Sequence, residues 1–156
     1  MATNADVNTP LEAGANLSSQ QTVVFRMGDE SFGIDIFRVH EIIRMREITP
    51  IPRTDKHIRG LVNLRGNTIP VIDLGARLNL TTAGMTDSTR IIVVESDQGN
   101  IGIIVDSVSE VITLEPDQVE STPPLIADGS NDFVKAVARR DDCLITLLDL
   151  DKTLVA

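Results

Sequence analysis

There is no tryptophan and no tyrosine in this chain of 156 residues, and it has only four phenylalanines and one cysteine. So few aromatic faces leave bases little to stack on, and a formal charge of −9 repels a phosphate backbone, so nucleic-acid binding is excluded. A lone cysteine, Cys143, excludes an intramolecular disulfide. It lies in the apolar run "DDCLITLL" and is expected to be a buried, unreactive thiol. No apolar run approaches the roughly 18 residues that cross a bilayer. The polar start "MATNADVNTPLEAGANLSSQ" has neither the basic beginning nor the apolar middle of a signal peptide, so the expected location is the cytoplasm, with no direct membrane insertion.

The usual marks of catalysis are also missing. There is no Gly-rich phosphate loop, no Gly-x-Ser-x-Gly elbow and no His-Glu-x-x-His pattern. The only histidines, His40 and His57, stand on different elements without a cysteine nearby, so no zinc site is expected. Asp128, Ser130 and Asp132 alternate as in a calcium loop but lack the later bidentate glutamate, and read as a solvated turn. Arg139-Arg140 before Asp141-Asp142 could be drawn as an acid–base cluster, yet polar residues between two apolar strands mark a hairpin tip. Neither a cofactor nor an enzymatic activity is expected.

What is present is a strand-rich chain. Hydrophobic residues make up 42% and charged residues 24%, the balance of a globular protein. Residues 1–20, rich in Ala, Asn, Thr and Ser, read as a mobile tail with room for a short helix at Pro10 to Ala15. In "QTVVFRM" and "SFGIDI" apolar and polar residues alternate, giving two strands joined at Gly28-Asp29-Glu30. "FRVHEIIRMREI" suits a brief turn and then a strand. "TPIPRTDKHIRG" reads as a loop, with a short helix possible over Asp55 to Arg59, before a strand over Leu61 to Leu64. In "NLRGNTIPVIDL", Val62 and Leu64 point inward, Asn63 and Arg65 outward. Gly66-Asn67 supplies the turn, and Thr68 to Leu74 returns as a strand. Pro70 cannot donate to a ladder and implies an edge or a bulge. "ARLNL" and "DKTLV", each after an Asp-Leu pair, read as short closing helices or turns.

The order of elements repeats. "VVFRMGDESFGIDIFRVHEI" parallels "IVVESDQGNIGIIVDSVSEV" at an offset of 69, which carries Phe32 to Ile101, Val39 to Val108 and Glu41 to Glu110. "IPVIDLGARL" parallels "LITLLDLDKTL" at an offset of 76, which carries Asp73 to Asp149. The extra seven residues fall in the loop "EPDQVESTPPLIADGSND". About five short strands per half are too few for an open sandwich and satisfy their edges by curling. The expected fold is mainly β: two pseudo-symmetric five-stranded barrels packed together, with a few short helices. Residues 21–156 form one domain, the first barrel spanning about 21–80 and the second about 88–156, neither folding independently.

"VVFRMGDESFGIDIFRVHEIIR", "IRGLVNLRGNTIPVIDL" and "IGIIVDSVSEVI", in this order and spacing, resemble the CheW-like family of bacterial chemotaxis coupling proteins over residues 21 to about 155. The resemblance implies SH3-like barrels and a non-enzymatic scaffold that couples the cytoplasmic tips of methyl-accepting chemoreceptors to the regulatory domain of the histidine kinase CheA. Such a protein is recruited to membrane-bound receptor arrays through protein contacts. The chain has no room for kinase domains or for an appended receiver domain. Two alternatives remain open: the same role in a pilus-motility or other chemosensory-like pathway, and a small-molecule-binding or enzymatic double barrel using the cleft between barrels.

Matching the family's functional positions residue by residue singles out Val39, Glu41, Gly60 and Arg65 as protein-binding. Ile36, Ile69, Val105 and Val108 are the apolar candidates for a receptor-facing cleft, with core packing as the alternative reading of all four. Val39 and Gly60 also have folding roles open to them. A core position is excluded for Glu41 and Arg65, because a buried unpaired charge is too costly. They are expected to share an outer surface of the first barrel and to pair. Arg65-Gly66 is not repeated in the second half, where Asp141 and Asp142 take those places.

Overall fold

The computed structural model describes residues 19–52, 57–80, 84–121 and 133–154. The expected helix at Pro10–Ala15, Asp55 and Lys56, the loop holding Asp128, Ser130 and Asp132, and the last two residues lie outside these segments. Eleven strands are seen among the described residues: β1 Gln20–Met27, β2 Glu30–Asp35, β3 Val39–Arg44, β4 Ile58–Leu64, β5 Asn67–Asp73, β6 Arg90–Ser96, β7 Gly99–Val105, β8 Ser107–Leu114, β9 Val119–Ser121, β10 Val134–Arg140 and β11 Cys143–Leu148. Two short helices, α1 Leu74–Leu78 and α2 Leu150–Thr153, follow β5 and β11. Of the short helix possible over Asp55 to Arg59, Ile58 and Arg59 instead open β4.

The strands form a six-stranded sheet in the order β9-β10-β11-β2-β1-β8 and a five-stranded sheet in the order β3-β6-β7-β5-β4, the two barrels expected from the repeat and SH3-like as the family resemblance implies, one of them with a strand more than the five expected. The chain is divided between them differently from the sequence halves. Hairpin β1–β2 joins strands from the second half, and hairpin β6–β7 joins strands from the first. The limits 21–80 and 88–156 therefore do not describe the barrels. Each leading hairpin extends its partner repeat's sheet, β2 lying parallel to β11 and β7 parallel to β5.

The pseudo-symmetry survives this exchange. Leu147 lies opposite Gly33 across one parallel junction, and Val71 opposite Gly102 across the other, positions related by the same two sequence offsets. The sixth strand, β9, has a reduced counterpart, an isolated bridge between Thr49 and Leu61. Helices α1 and α2 begin alike, Asp73 accepting from the Ala76 N–H and Asp149 from the Lys152 N–H. These aspartates are N-caps, so each helix starts at the leucine after the aspartate, two residues before "ARLNL" and one before "DKTLV".

Exchange creates three apolar cores. Ile43, Val62, Leu64, Ile69, Val71, Ile91, Val93 and Ile104 fill the five-stranded barrel. Val24, Ile112, Leu114, Ala136, Ala138, Ile145 and Leu147 fill the other. A third core, with Phe25, Phe32, Ile72, Leu74, Ile92, Val94 and Val105 at its centre, joins the two sheets. Strands β1 and β6 are buried on both faces, which explains their continuous runs "TVVF" and "IIVV". Val24 faces one barrel interior while Val23 and Phe25 face the shared core, and Ile91 and Val93 alternate in the same way with Ile92 and Val94. Phe25 and Phe32 stack at 5.9 Å between ring centroids.

Three local expectations are corrected. Pro70 is neither in an edge strand nor at a bulge: β5 pairs with β4 on one side, and the parallel pairing to β7 begins one residue later, at Val71. The missing N–H thus falls where that side of β5 is still unpaired. The β4–β5 turn is Arg65-Gly66 rather than Gly66-Asn67, with φ of 53° and 87°, both central residues left-handed as in a type I′ hairpin loop. Cys143 is exposed, since it opens β11 immediately after the Asp141-Asp142 turn, before the strand enters the core.

Candidate functional site

The strand "VHEIIR" forms β3, at the edge of the five-stranded sheet. Its pairing with β6 slips between Val39 and Glu41, which leaves His40 as the extra residue of a bulge. A bulge re-aims the side chains that follow it. Here Glu41 turns towards the β4–β5 hairpin, where Arg65 occupies the first turn position.

Arg65 meets Glu41 through both guanidinium nitrogens: Nη1 donates to Oε2 at 2.6 Å and Nη2 to Oε1 at 3.1 Å. This is the bidentate fork that fixes orientation as well as distance. The arginine side chain remains 72% exposed and the carboxylate is mostly covered. The turn is held from within, as Asn63 Oδ1 accepts from the Gly66 N–H at 2.9 Å. Arg46 Nη1 donates to the Asn63 carbonyl at 3.2 Å and ties the hairpin to the segment after β3. A recess of about 340 Å³ opens beside the pair, lined by His40, Asn67, Gln98 and Asn100 among others.

The remaining candidates fall in other settings. Gly60 is buried on β4 with φ 147°, and a Cβ there would overlap the Thr49 carbonyl oxygen. Its glycine is required by the Thr49–Leu61 bridge, whose two hydrogen bonds are both 2.8 Å. Val39 and Val108, equivalent by the repeat, are half-buried against the shared core, as is Ile36. Ile69 and Val105 are corrections as receptor-facing positions. Ile69 is buried inside the five-stranded barrel and Val105 is wholly buried between the sheets. At Val105 the space between barrels is packed core, because the hairpin exchange makes both sheets donate apolar faces to it.

Two features had little signal in the sequence. Phe37, on the 3₁₀ turn Ile36–Arg38, is 80% exposed, an aromatic that its apolar character alone would place inside. Asn63 precedes Gly66 by three residues, a spacing that suggests a turn clamp only once the turn is known to be Arg65-Gly66.

Comparison with known proteins places these observations. The CheW-like domain family model matches residues 21–156. The chain is 32% identical to "Chemotaxis protein CheW" of Rhizobium meliloti (strain 1021), over 85% of each chain. It is 30% identical to the protein of that name in Bacillus subtilis (strain 168), over 88% of each, and 30% identical to "Protein FrzA" of Myxococcus xanthus, over 86% of this chain and 85% of that one. Among solved structures, scaffolding protein TtCheW from Thermoanaerobacter tengcongensis superposes with a TM-score of 0.82 at 38% identity, covering 89% of this chain and 94% of that one.

Proposed function

The chain belongs to the CheW-like domain family, and from that membership we propose that it is a chemotaxis adaptor joining methyl-accepting chemoreceptors to the regulatory domain of the histidine kinase CheA. It holds its partners and converts none of them. Relatives in Rhizobium meliloti and Bacillus subtilis carry the chemotaxis name, and its structural neighbour is called a scaffold. No helix among the described residues is long and apolar enough to cross a membrane; recruitment to receptor arrays through protein contacts is part of this proposal.

The Arg65–Glu41 fork carries this reading. A charged pair on an edge strand and a hairpin tip adds only about 0–1 kcal/mol to folding when exposed. What it supplies is a fixed shape: a pre-organised surface loses less side-chain entropy when a partner docks. Val39, on the same strand, contributes apolar area beside it.

Reversing the arginine tests the proposal. Arg65→Asp is expected to shift the melting temperature by no more than about 4 °C while abolishing chemotaxis and co-purification of kinase with receptors. Unfolding of the variant, or normal signalling with it, would overturn the docking role. A FrzA relative that does not carry the chemotaxis name favours a second reading within the same class, service to another chemosensory-like pathway. The kinase and receptors that co-purify with the tagged chain from its own cells distinguish the two.

A further inference from the structure

We infer that Asn63 is a positioning residue for the Arg65–Glu41 fork, acting through the backbone of the hairpin turn rather than through contact with a partner. The functional consequence rests on the docking role proposed above; the geometric role does not.

Arg65 holds a left-handed backbone, φ 53°, which a side chain with a Cβ adopts reluctantly and usually leaves to glycine or asparagine. Something must hold the arginine there, because relaxation at this residue would swing the Cα–Cβ bond and carry the guanidinium away from Glu41. The Asn63 carboxamide is placed to do so. Its Oδ1 accepts from the Gly66 N–H, the residue following Arg65, at 2.9 Å, and this spans the turn over Leu64 and Arg65. Asn63 is itself anchored, its carbonyl receiving Arg46 Nη1 and its strand position paired with Thr68.

The second hairpin supplies the contrast. Asp141 has nearly the same backbone, φ 56°, at the position equivalent to Arg65. Asn63 is replaced there by Arg139, a side chain with donors and no acceptor, which cannot form this clamp and instead approaches Glu120 at 3.7 Å. In that hairpin the residue equivalent to Glu41, Glu110, meets Arg140 through one 3.8 Å approach and no fork. The hairpin with the clamp is the one with the bidentate pair.

Nitrogen-15 exchange NMR of the arginine guanidinium groups in the full chain tests this, since a bidentate carboxylate slows rotation about the Arg65 Nε–Cζ bond. Asn63→Ala is expected to speed that rotation about fivefold, the equivalent of one neutral hydrogen bond, with the fold intact by circular dichroism. Asn63→Asp keeps the acceptor oxygen and is expected to restore slow rotation. In a Glu41→Gln background Asn63→Asp should leave rotation fast, which separates a restored turn from a new ion pair between Asp and Arg65. Unchanged rotation in Asn63→Ala, or slow rotation in the Glu41→Gln, Asn63→Asp double variant, overturns the positioning role. If Asn63→Ala frees the guanidinium while both it and Arg65→Asp still bind the kinase regulatory domain and receptor fragments normally, the docking role fails and the positioning role stands.

Discussion

The two hairpins β4–β5 and β10–β11 occupy equivalent places in the two barrels, yet they are built differently at the tip. Both put a non-glycine residue at positive φ, Arg65 and Asp141, and both stand beside a bulged edge strand bearing a glutamate, Glu41 and Glu110. In the first, the glutamate and turn arginine lock as a fork; in the second, the arginine comes from one residue earlier and stays 3.8 Å away. Duplication thus preserved the backbone, including its costly turn, while the side chains diverged. A scaffold with two barrels of one shape and one rigid charged surface can present unlike faces to unlike partners.

The largest expected effect sets the halves against each other at Gly60. Its counterpart at the offset of 76 is Ala136, buried in the other barrel. Gly60→Ala forces a Cβ towards the Thr49 carbonyl at φ 147°, combining backbone strain with overpacking and costing about 3 kcal/mol or more. The reverse change, Ala136→Gly, should cost about 1 kcal/mol through chain entropy. Urea denaturation of both variants checks this. Equal losses would mean that the Thr49 bridge does not distinguish the barrels.

The next effect is smaller because both halves share it. Gly33 and Gly102 lie at the two parallel junctions, and an added Cβ would meet Thr22 Cγ2 at 2.6 Å and Leu147 Cδ2 at 2.9 Å in one, Ile91 Cγ2 at 2.8 Å and Val71 Cγ2 at 3.4 Å in the other. Thr22 is the repeat counterpart of Ile91, and Leu147 that of Val71. Both alanine variants should lose about 1–3 kcal/mol, with Gly33→Ala towards the upper end because two neighbours must move rather than one. A larger loss for Gly102→Ala, measured by thermal melting, would contradict the relative tightness of the junctions.

Much of this was legible in the residues, and what was not has physical causes. Alternation located most of the strands, because side-chain period is local, and the Asp-Leu endings marked where each half closes; β9, three residues long, falls in the segment read as a loop. Glu41 and Arg65 were singled out by the family resemblance, and the cost of burying either charge alone only added that they lie outside the core. The exchange of hairpins was not legible, since an apolar run buried on both faces looks the same whichever sheet it joins. Val105 and Ile69, named for the cleft by the family resemblance with core packing held open as the alternative, take that alternative, one in the shared core and one inside the five-stranded barrel. Cys143 was misplaced by one step of a hairpin, the apolar run around it saying nothing of its first residue's exposure.

The smallest expected effect is on stability at the two ion pairs, where the halves should nearly agree although their surfaces differ. Arg65→Ala removes a bidentate contact on the arginine's exposed side chain and keeps the Cβ that makes the left-handed backbone costly, so the loss should be about 0.5 kcal/mol. Arg140→Ala breaks a single long approach between exposed groups and should be close to neutral. Repeating both melts at 1 M salt, where exposed charges are screened within about 3 Å, should remove even the first difference. A persistent loss for Arg65→Ala at high salt would mean that the guanidinium supports the hairpin by packing rather than charge. The fork would then be part of the barrel rather than a surface it presents.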